Sequence, residues 1–401
     1  MKGVKMKNIE IIKITEKYSA QNYLPLPVVL KVGKGAWVWD VEGKRYLDML
    51  SAYSALNQGH CHPAIIKAIK KQITQLTLTS RAFYNDKLGV FLQKLCRLTG
   101  YEKALPMNSG AEAVETAIKA ARKWGYYKNG IKKNKAEIIV CENNFHGRTT
   151  TIVGFSSEFQ YRNGFGPFTP NFKMIPYNDT KALRKAITKN TVGFLVEPIQ
   201  GEGGVIVPDD GYLKECYKIC KKNKLLLIAD EIQTGLGRTG KFFAFEYDGI
   251  KPDILIVGKA LSGGFYPISA ILCDSKIMDV FKPGDHGSTF GGNPLAAAIG
   301  IVALDIIVKG NLPQRAFTLG NWFMAKLRQI KNPVIKEVRG KGLLIGVELK
   351  KKARPFCEAL MKQGILAKET HDYVVRFAPP LIITKKDLEW ALPRIKKVFA
   401  V

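Results

Sequence analysis

The sequence predicts an α/β protein with a mostly parallel central sheet, helices on both faces, and a smaller α+β domain built from the N- and C-terminal segments. Four short, nearly continuous apolar runs recur in the middle of the chain, at 138–141, 192–196, 225–229 and 254–257. Segments with helical spacing separate them, and strands without polar alternation are typical of parallel sheets buried on both faces. A chain of 401 residues is also longer than the length that a single hydrophobic core usually supports, which predicts more than one domain.

The N-terminal part combines helical and hairpin patterns. Apolar spacing predicts a helix over 9–18, whereas Pro25 and Pro27 predict irregular backbone over 22–27. The run 37–48 is typical of a hairpin with its turn at Glu42-Gly43. Helical spacing resumes over 63–76.

The rest of the chain supplies the helices of the α/β domain and a second set of strands. Helices are predicted over 112–124, 179–187, 212–222 and from 294 to about 307. Strands near 342–348 and 374–377 predict the α+β part. We therefore predict an N-terminal segment of the small domain at 1–50, a large cofactor-binding domain at 51–300, and a C-terminal small domain at 301–401.

Composition indicates a soluble protein of a reducing compartment. Apolar residues make up 46% and charged residues 24% of the chain, and no apolar stretch approaches the roughly 20 residues of a membrane helix. The N-terminus lacks a secretory apolar core. Seven cysteines occur without a C-x-x-C motif, and His60 and His62 lack a third neighbouring ligand. We expect a cytoplasmic protein with no metal site and no membrane partner.

The formal net charge of +28 raises the possibility of nucleic-acid binding. The lysines are spread along the whole chain in short clusters, with no basic tail and no basic segment interleaved with aromatics. This pattern favours a solvated, lysine-rich surface, and we expect no nucleic-acid partner. A basic nucleic-acid-binding protein stays the less favoured alternative.

Lys259 carries the strongest chemical signal. It follows the apolar run 254–257 and precedes a loop of small residues, which places an amine at the end of a strand. Asp230, 29 positions earlier (259 − 230), follows another apolar run. Pyridoxal phosphate (PLP) needs these two groups, because an amine forms an imine with its aldehyde and a carboxylate keeps its ring nitrogen protonated.

Weaker patterns near other strand ends suit the same cofactor. Ser109 can cap a helix so that the N–H groups of Gly110 and Ala111 face an anion, although an ordinary helix cap has the same pattern. Phe145 could stack on a flat ring or be buried in its loop. Gln233 could donate to the phenolic oxygen of the cofactor, and the run 287–294 containing Thr289 suits phosphate.

Charged residues suggest how a substrate could be held. Arg148 could bind a carboxylate through two parallel contacts. Glu197 and Glu202 flank a glycine-rich bend, where they are either solvated charges or an acid that switches its arginine partner. Arg376 lies on a short apolar strand and needs an anionic partner if it is buried.

With these residues, the chain closely resembles the class III, fold-type I PLP-dependent aminotransferases from about residue 18 to about 395. The order and spacing of several runs carry the resemblance, namely 22–27, 53–60, 197–202, 230–240 and 368–372. The resemblance implies that Lys259 binds the cofactor and moves the proton, and that Asp230 pairs with the ring nitrogen. It implies a cofactor set that also includes Ser109, Gly110, Ala111, Phe145, His146 and Gln233.

The resemblance also implies partners. Thr289 would reach the cofactor phosphate of a neighbouring subunit, which requires a homodimer or a larger homo-oligomer. Within the family the chain is similar to members that act on L-ornithine and 2-oxoglutarate. Their pattern implies substrate contacts from Tyr23, Tyr53, Arg148, Glu197, Glu202 and Arg376. Glu202 would cover Arg376 while ornithine reacts and release it for the carboxylate of the second substrate.

His146 does not distinguish between the possible substrates. His146 stands where some ornithine-specific members have tryptophan, and acetylornithine-specific members share the run Phe-His-Gly-Arg at 145–148. An acetylornithine or other ω-amine aminotransferase is therefore the alternative within the family.

Overall fold

A computed structural model describes residues 6–400, so residues 1–5 of the predicted N-terminal segment and Val401 of the C-terminal one lie outside it. Its centre is a seven-stranded sheet. In spatial order the strands are Lys103–Met107, Ser269–Cys273, Ile254–Val257, Leu226–Asp230, Thr191–Val196, Glu137–Cys141 and Phe172–Ile175. Ser269–Cys273 pairs antiparallel with both of its neighbours, Lys103–Met107 and Ile254–Val257, and the other pairs in this sheet are parallel.

Helices cover both faces of this sheet. Gly110–Lys128 packs its alanine-rich face on one side, in a core that includes Ile138, Ile228 and Ile256. Thr180–Ala186 and Tyr212–Lys222 cover the other side, through Leu183 and Leu213. The prediction of a mostly parallel sheet between two helical layers is confirmed, because each strand places apolar side chains alternately on both faces.

Two small sheets flank the central one. The first joins the N-terminal strands Leu30–Lys34, Trp37–Asp40 and Arg45–Asp48 to Ile365–Leu366. The second has the spatial order Ile335–Lys341, Leu344–Leu349, Val374–Phe377 and Lys368–Thr370. The first sheet combines strands from both ends of the chain, as expected for the small domain. The limits at residues 50 and 300 stay predictions.

The remaining elements connect these sheets. The α-helices are Asn8–Tyr18, Ser51–Ser54, Pro63–Gln72, Leu88–Thr99, Thr150–Gly154, Phe159–Arg162, Ser275–Met278, Pro294–Lys309, Leu312–Arg328, Arg354–Lys362 and Lys385–Phe399, and the 3-10 helices are Ala244–Asp248 and Lys259–Ser262. Ser51–Ser54 is left-handed, with positive φ at all four residues. The helix predicted over 63–76 ends at Gln72.

Within residues 6–400, no single helix has the length and apolar composition to cross a membrane. Pro294–Lys309 and Leu312–Arg328 reach that threshold only together, and a bend of 56° separates them. In the same residues, no group of three or more His, Cys, Asp and Glu side chains could hold a metal ion.

Candidate active site

Asp230 and Lys259 lie at the same edge of the central sheet because their strands are parallel neighbours. Asp230 is the last residue of its strand, and Lys259 begins a 3-10 turn after Gly258. A cavity of about 190 Å³ opens between them. It is lined by Gly110, Ala111, Phe145, His146, Gly147, Glu197, Asp230, Ile232, Gln233, Thr234 and Lys259.

The surroundings of Lys259 favour its neutral amine. Burial lowers the pKa of the ammonium group, and the negative charges of Glu202 and Asp230 offset only part of this effect. Lys259 also has φ +44°, in the left-handed region. An amine that loses its proton more readily than a surface lysine is suited to act as a nucleophile and a base.

Asp230 is held by two hydrogen bonds at the bottom of the cavity. Its Oδ2 lies 2.7 Å from Nδ1 of His146, and its Oδ1 accepts the N–H of Ile232 at 3.1 Å. Burial opposes a charge on His146, but the hydrogen bond and charge of Asp230 outweigh burial and raise the pKa of the imidazole. His146 therefore lies behind Asp230 and orients it.

The start of helix Gly110–Lys128 forms the anion-binding end of the cavity. Ser109 is its N-cap and forms a reciprocal capping box with Glu112. Because these contacts use the N–H groups of Ser109 and Glu112, the N–H groups of Gly110 and Ala111 are left for an anion. Gly147 approaches this turn so closely that a Cβ there would lie 2.9 Å from Cβ of Ala111.

An aromatic layer lies over the cavity. Phe145 packs edge-on against Tyr161, and the Arg148 guanidinium lies 3.6 Å from the Tyr161 ring centroid. The N–H of Phe145 donates to Glu197 at 3.0 Å. Burial, with the charge of Asp230, raises the pKa of Glu197 to about 7, although His146 opposes the shift.

A second charged cluster borders the cavity at Gln233. Arg376 donates through Nη1 to Oε1 of Glu202 at 2.6 Å, and Nε2 of Gln233 donates to the same oxygen at 3.0 Å. Although burial opposes the charge of Glu202, Arg376 outweighs it and lowers the pKa of that carboxyl. The guanidinium lies 4.8 Å from the ring centroid of Tyr53. Nε and Nη2 of Arg376 are buried with no hydrogen-bond partner among the residues described.

Two predicted residues lie away from the cavity. Tyr23 is 77% exposed and does not line the cavity. Thr289 is exposed in the loop before helix Pro294–Lys309 and does not line the cavity. The roles predicted for both residues stay predictions.

Several contacts of the site were not predicted from the sequence. Ile232 lines the cavity with Phe145, Tyr161 stacks on Arg148, and Thr370 donates to the backbone oxygen of Glu202 at 2.6 Å. Ile232 could have been found, because it is two residues after Asp230 at the same strand end. Thr370 lies in the run 368–372 that carries the resemblance, but its contact with Glu202, like that of Tyr161 with Arg148, joins separate parts of the chain that no local pattern relates.

These residues fit PLP. The cavity offers an aromatic and an aliphatic side chain for a flat ring, a buried carboxylate for its nitrogen and an amine for its aldehyde. It also offers free N–H groups at a helix start for a phosphate. Gly110 and Gly147 keep the phosphate end open, because a Cβ at either position would crowd its neighbours.

Comparisons with known proteins agree with this assignment. The chain matches the family described as aminotransferase class-III over residues 18–399. It is 61% identical over 394 residues to an ornithine aminotransferase of Geobacillus sp. (strain WCH70), covering 98% of this chain and 99% of the relative.

Two solved structures are also similar over nearly the whole chain. An ornithine aminotransferase from Toxoplasma gondii, with PLP at partial occupancy in its active site, superposes with a TM-score of 0.97 at 47% identity, covering 98% of this chain and 94% of that one. An acetylornithine aminotransferase from Elizabethkingia anophelis gives 0.90 at 50% identity, covering 98% and 99%.

Proposed function

The chain belongs to the class-III aminotransferase family, has the fold-type I architecture and uses PLP, and we propose that it transfers the δ-amino group of L-ornithine to 2-oxoglutarate. The products are glutamate 5-semialdehyde, which cyclises to pyrroline-5-carboxylate, and glutamate. One observation carries the proposal, namely the Glu202–Arg376 ion pair at the border of the Lys259–Asp230 cavity. The 61% identical ornithine aminotransferase supports it.

PLP supplies an aldehyde carbon that carries the amino group and a ring that withdraws electrons from the carbon losing its proton. Lys259 would hold the cofactor through its aldehyde carbon, and once the δ-amine of ornithine had replaced it on that carbon, the freed Lys259 amine would take the proton from Cδ, a role that the lowered pKa of this buried amine favours. Asp230 would keep the ring nitrogen protonated, and His146 orients Asp230.

The two substrates require different charges beside Arg376. Ornithine presents its δ-amine to the cofactor and carries only one carboxylate, which Arg148 binds while Tyr23 contacts the α-amino group. Glutamate and 2-oxoglutarate carry two carboxylates, and the second needs Arg376. Glu202 neutralises Arg376 during the first half-reaction and moves away for the second. The buried, unpartnered Nε and Nη2 of Arg376 then have an acceptor.

We also propose the assembly and the compartment. The active form is at least a homodimer in which Thr289 of each chain contacts the cofactor phosphate of the other. The exposure of Thr289 and of its neighbour Phe290 supports this proposal. The enzyme acts in the cytoplasm, which the seven cysteines support, since none forms a disulfide.

A substrate panel tests the reaction. Purified holoenzyme supplied with ornithine and 2-oxoglutarate should yield a pyrroline that an aromatic amine traps as a coloured adduct, together with one glutamate per pyrroline. Replacing 2-oxoglutarate with pyruvate measures the preference for a second carboxylate. Faster turnover of N-acetylornithine or 4-aminobutyrate than of ornithine would contradict the proposal.

The second candidate is an acetylornithine aminotransferase, which the 50% identical structure from Elizabethkingia anophelis favours. Tyr23→Ala separates the two, because only a free α-amino group needs this contact. We expect a large loss of kcat/KM with ornithine and a smaller loss with N-acetylornithine. Tyr18→Ala is the matched control, since Tyr18 is equally exposed at 77% and lies in helix Asn8–Tyr18.

A further inference from the structure

The loop that presents Glu202 rests on the small sheet that carries Arg376. We call residues 201–205 the Glu202 loop. Arg339 lies opposite Gly346, and Gly346 lies opposite Arg376, so the three residues form one row across three neighbouring strands. Directly opposite residues point to the same face of a sheet. Arg339 and Arg376 therefore extend from one face on either side of a position that has no side chain.

The Glu202 loop occupies the space above Gly346. A Cβ at Gly346 would lie 3.0 Å from Cβ of Val205 and 3.3 Å from the backbone oxygen of Gly204. Within the loop, Gly204 has φ +110° and Val205 has φ +54°. A left-handed conformation is unfavourable for a β-branched residue and persists only where surrounding contacts impose it.

Arg339 adds to the backbone contacts of the loop, which are the Val205 N–H bond to the oxygen of Gly201 and the bridge between Gln200 and Ile206. Nε of Arg339 donates to the backbone oxygen of Val205 at 3.0 Å, and its Nη2 donates to that of Gly204 at 2.7 Å. Its Nη1 pairs with Glu348 and with Glu337, which orients the guanidinium. From the fourth strand of the sheet, Thr370 donates to the backbone oxygen of Glu202. One arginine thus binds the loop backbone while Arg376 binds the Glu202 side chain.

We propose that Arg339 is a positioning residue that holds the backbone of the Glu202 loop, so that exchange of Arg376 between Glu202 and substrate requires only side-chain movement. The inference rests on the proposed function and deepens it. Without Arg339, the backbone oxygens of Gly204 and Val205 lose their side-chain donors, and the loop holds Glu202 less firmly against Arg376. Glu202 then covers Arg376 less completely, which harms discrimination between ornithine and dicarboxylate substrates more than it harms the chemistry.

The test measures the two half-reactions separately in Arg339→Met holoenzyme, by the change in cofactor absorbance with ornithine alone and with glutamate alone. The ratio of kcat/KM for ornithine to kcat/KM for glutamate should fall about tenfold. A change of this size is typical of the interaction energy between two residues of one hydrogen-bond or salt-bridge network. Arg339→Lys, which keeps the charge but not the paired donors, should recover only part of the ratio. A general structural defect would lower both half-reactions together and leave the ratio unchanged.

Lys336→Met is the matched control. Lys336 pairs with the same Glu348 carboxylate but is not bonded to the Glu202 loop. It should leave the ratio at the wild-type value. In a Glu202→Gln background, Arg339→Met should not change the ratio further, because the residue through which Arg339 acts has already been altered.

Hydrogen–deuterium exchange of the cofactor-free protein gives a readout independent of activity. Peptides covering residues 200–206 should exchange faster in Arg339→Met than in wild type, and Lys336→Met should match wild type. An unchanged ratio and unchanged exchange, in a variant that still consumes ornithine, would overturn the role of Arg339 alone. A wild-type enzyme that does not consume ornithine would instead overturn the proposed function.

Discussion

At the scale of single residues, Glu197 shows how burial changes the response of the protein to pH. Its pKa is raised to about 7 from an ordinary value of 4.5. The folded protein therefore binds more protons than the unfolded chain between these two values. The stability that the protonated carboxyl contributes is complete below about pH 4.5 and is lost as the pH rises through 7.

Glu197→Gln should remove this loss, because the amide stays neutral. We compare the cofactor-free variant with the cofactor-free wild type by their melting temperatures. The stability of the variant relative to wild type should increase by about 2 kcal/mol between pH 5 and pH 8. Glu231, whose pKa burial also raises to about 7, is present in both proteins and cancels in the comparison. Parallel melting curves across this pH range would contradict the prediction.

The residues that the sequence could predict share a simple property. Lys259 and Asp230 were found because parallel strands bring their carboxyl ends to one edge, so that position along the chain determines position in space. Arg339 was not found, because its contacts depend on the pairing register of two hairpin strands and on a loop more than 130 residues earlier. No local pattern contains that register.

At the scale of elements, the cap of helix Gly110–Lys128 has both a structural and a binding role. Ser109→Ala should destabilise the protein by about 1 kcal/mol, the usual cost of losing an N-cap, and should also weaken PLP binding. Thr384→Ala is the matched control, because Thr384 caps helix Lys385–Phe399 with the same capping box. It should cost similar stability, measured by melting of the cofactor-free protein, without changing the dissociation constant for PLP.

Equal weakening of PLP binding in the Ser109→Ala and Thr384→Ala proteins would contradict the prediction. It would indicate that the loss of PLP affinity results from lower stability of the whole protein and not from a changed geometry of the helix start at Gly110 and Ala111.

Arg238 joins distant segments of the chain and has no carboxylate partner among residues 6–400. It is fully buried and donates to the backbone oxygens of Leu343 and Pro379 and to the side chains of Ser51 and Asn57. Burial lowers the pKa of its guanidinium to about 9. The left-handed turn Ser51–Ser54, which carries Tyr53, is thus connected to the segment that follows Arg376.

Arg238→Met should destabilise the folded protein by about 3 kcal/mol, because several buried acceptors lose their donor. Urea unfolding of the cofactor-free protein measures the change. Arg394→Met is the control, since Arg394 bonds only to Trp390 within its own helix and should cost less than about 0.5 kcal/mol. Similar losses in both variants would contradict a special role for the buried arginine.

At the scale of the whole molecule, the net charge of +28 should act differently on the two proposed substrates. 2-Oxoglutarate is a dianion, whereas ornithine carries a net positive charge at neutral pH. Long-range attraction of the dianion by a cationic protein weakens as salt screens it. We expect kcat/KM for 2-oxoglutarate to fall several-fold as ionic strength rises from about 10 to about 200 mM.

For ornithine, kcat/KM should stay constant or rise over the same range, and steady-state kinetics with both substrates measure the contrast. An equal fall for both substrates would point to a general effect of salt on the enzyme. A steep salt dependence of binding to DNA would instead favour the nucleic-acid alternative.

The crowding around the Glu202 loop has a consequence for how the protein can change over generations. A Cβ at Gly201 would lie 1.8 Å from Oε1 of Gln233, and one at Gly203 would lie 2.9 Å from the backbone oxygen of Asn143. A side chain at Gly201 requires the end of the flexible Gln233 side chain to move, whereas one at Gly203 meets backbone and one at Gly346 needs its neighbours to shift by a few tenths of an ångström. With the role proposed for Tyr23, a change of amine donor would instead involve this exposed position. The accepted amine would then change while the loop that carries Glu202 keeps its backbone.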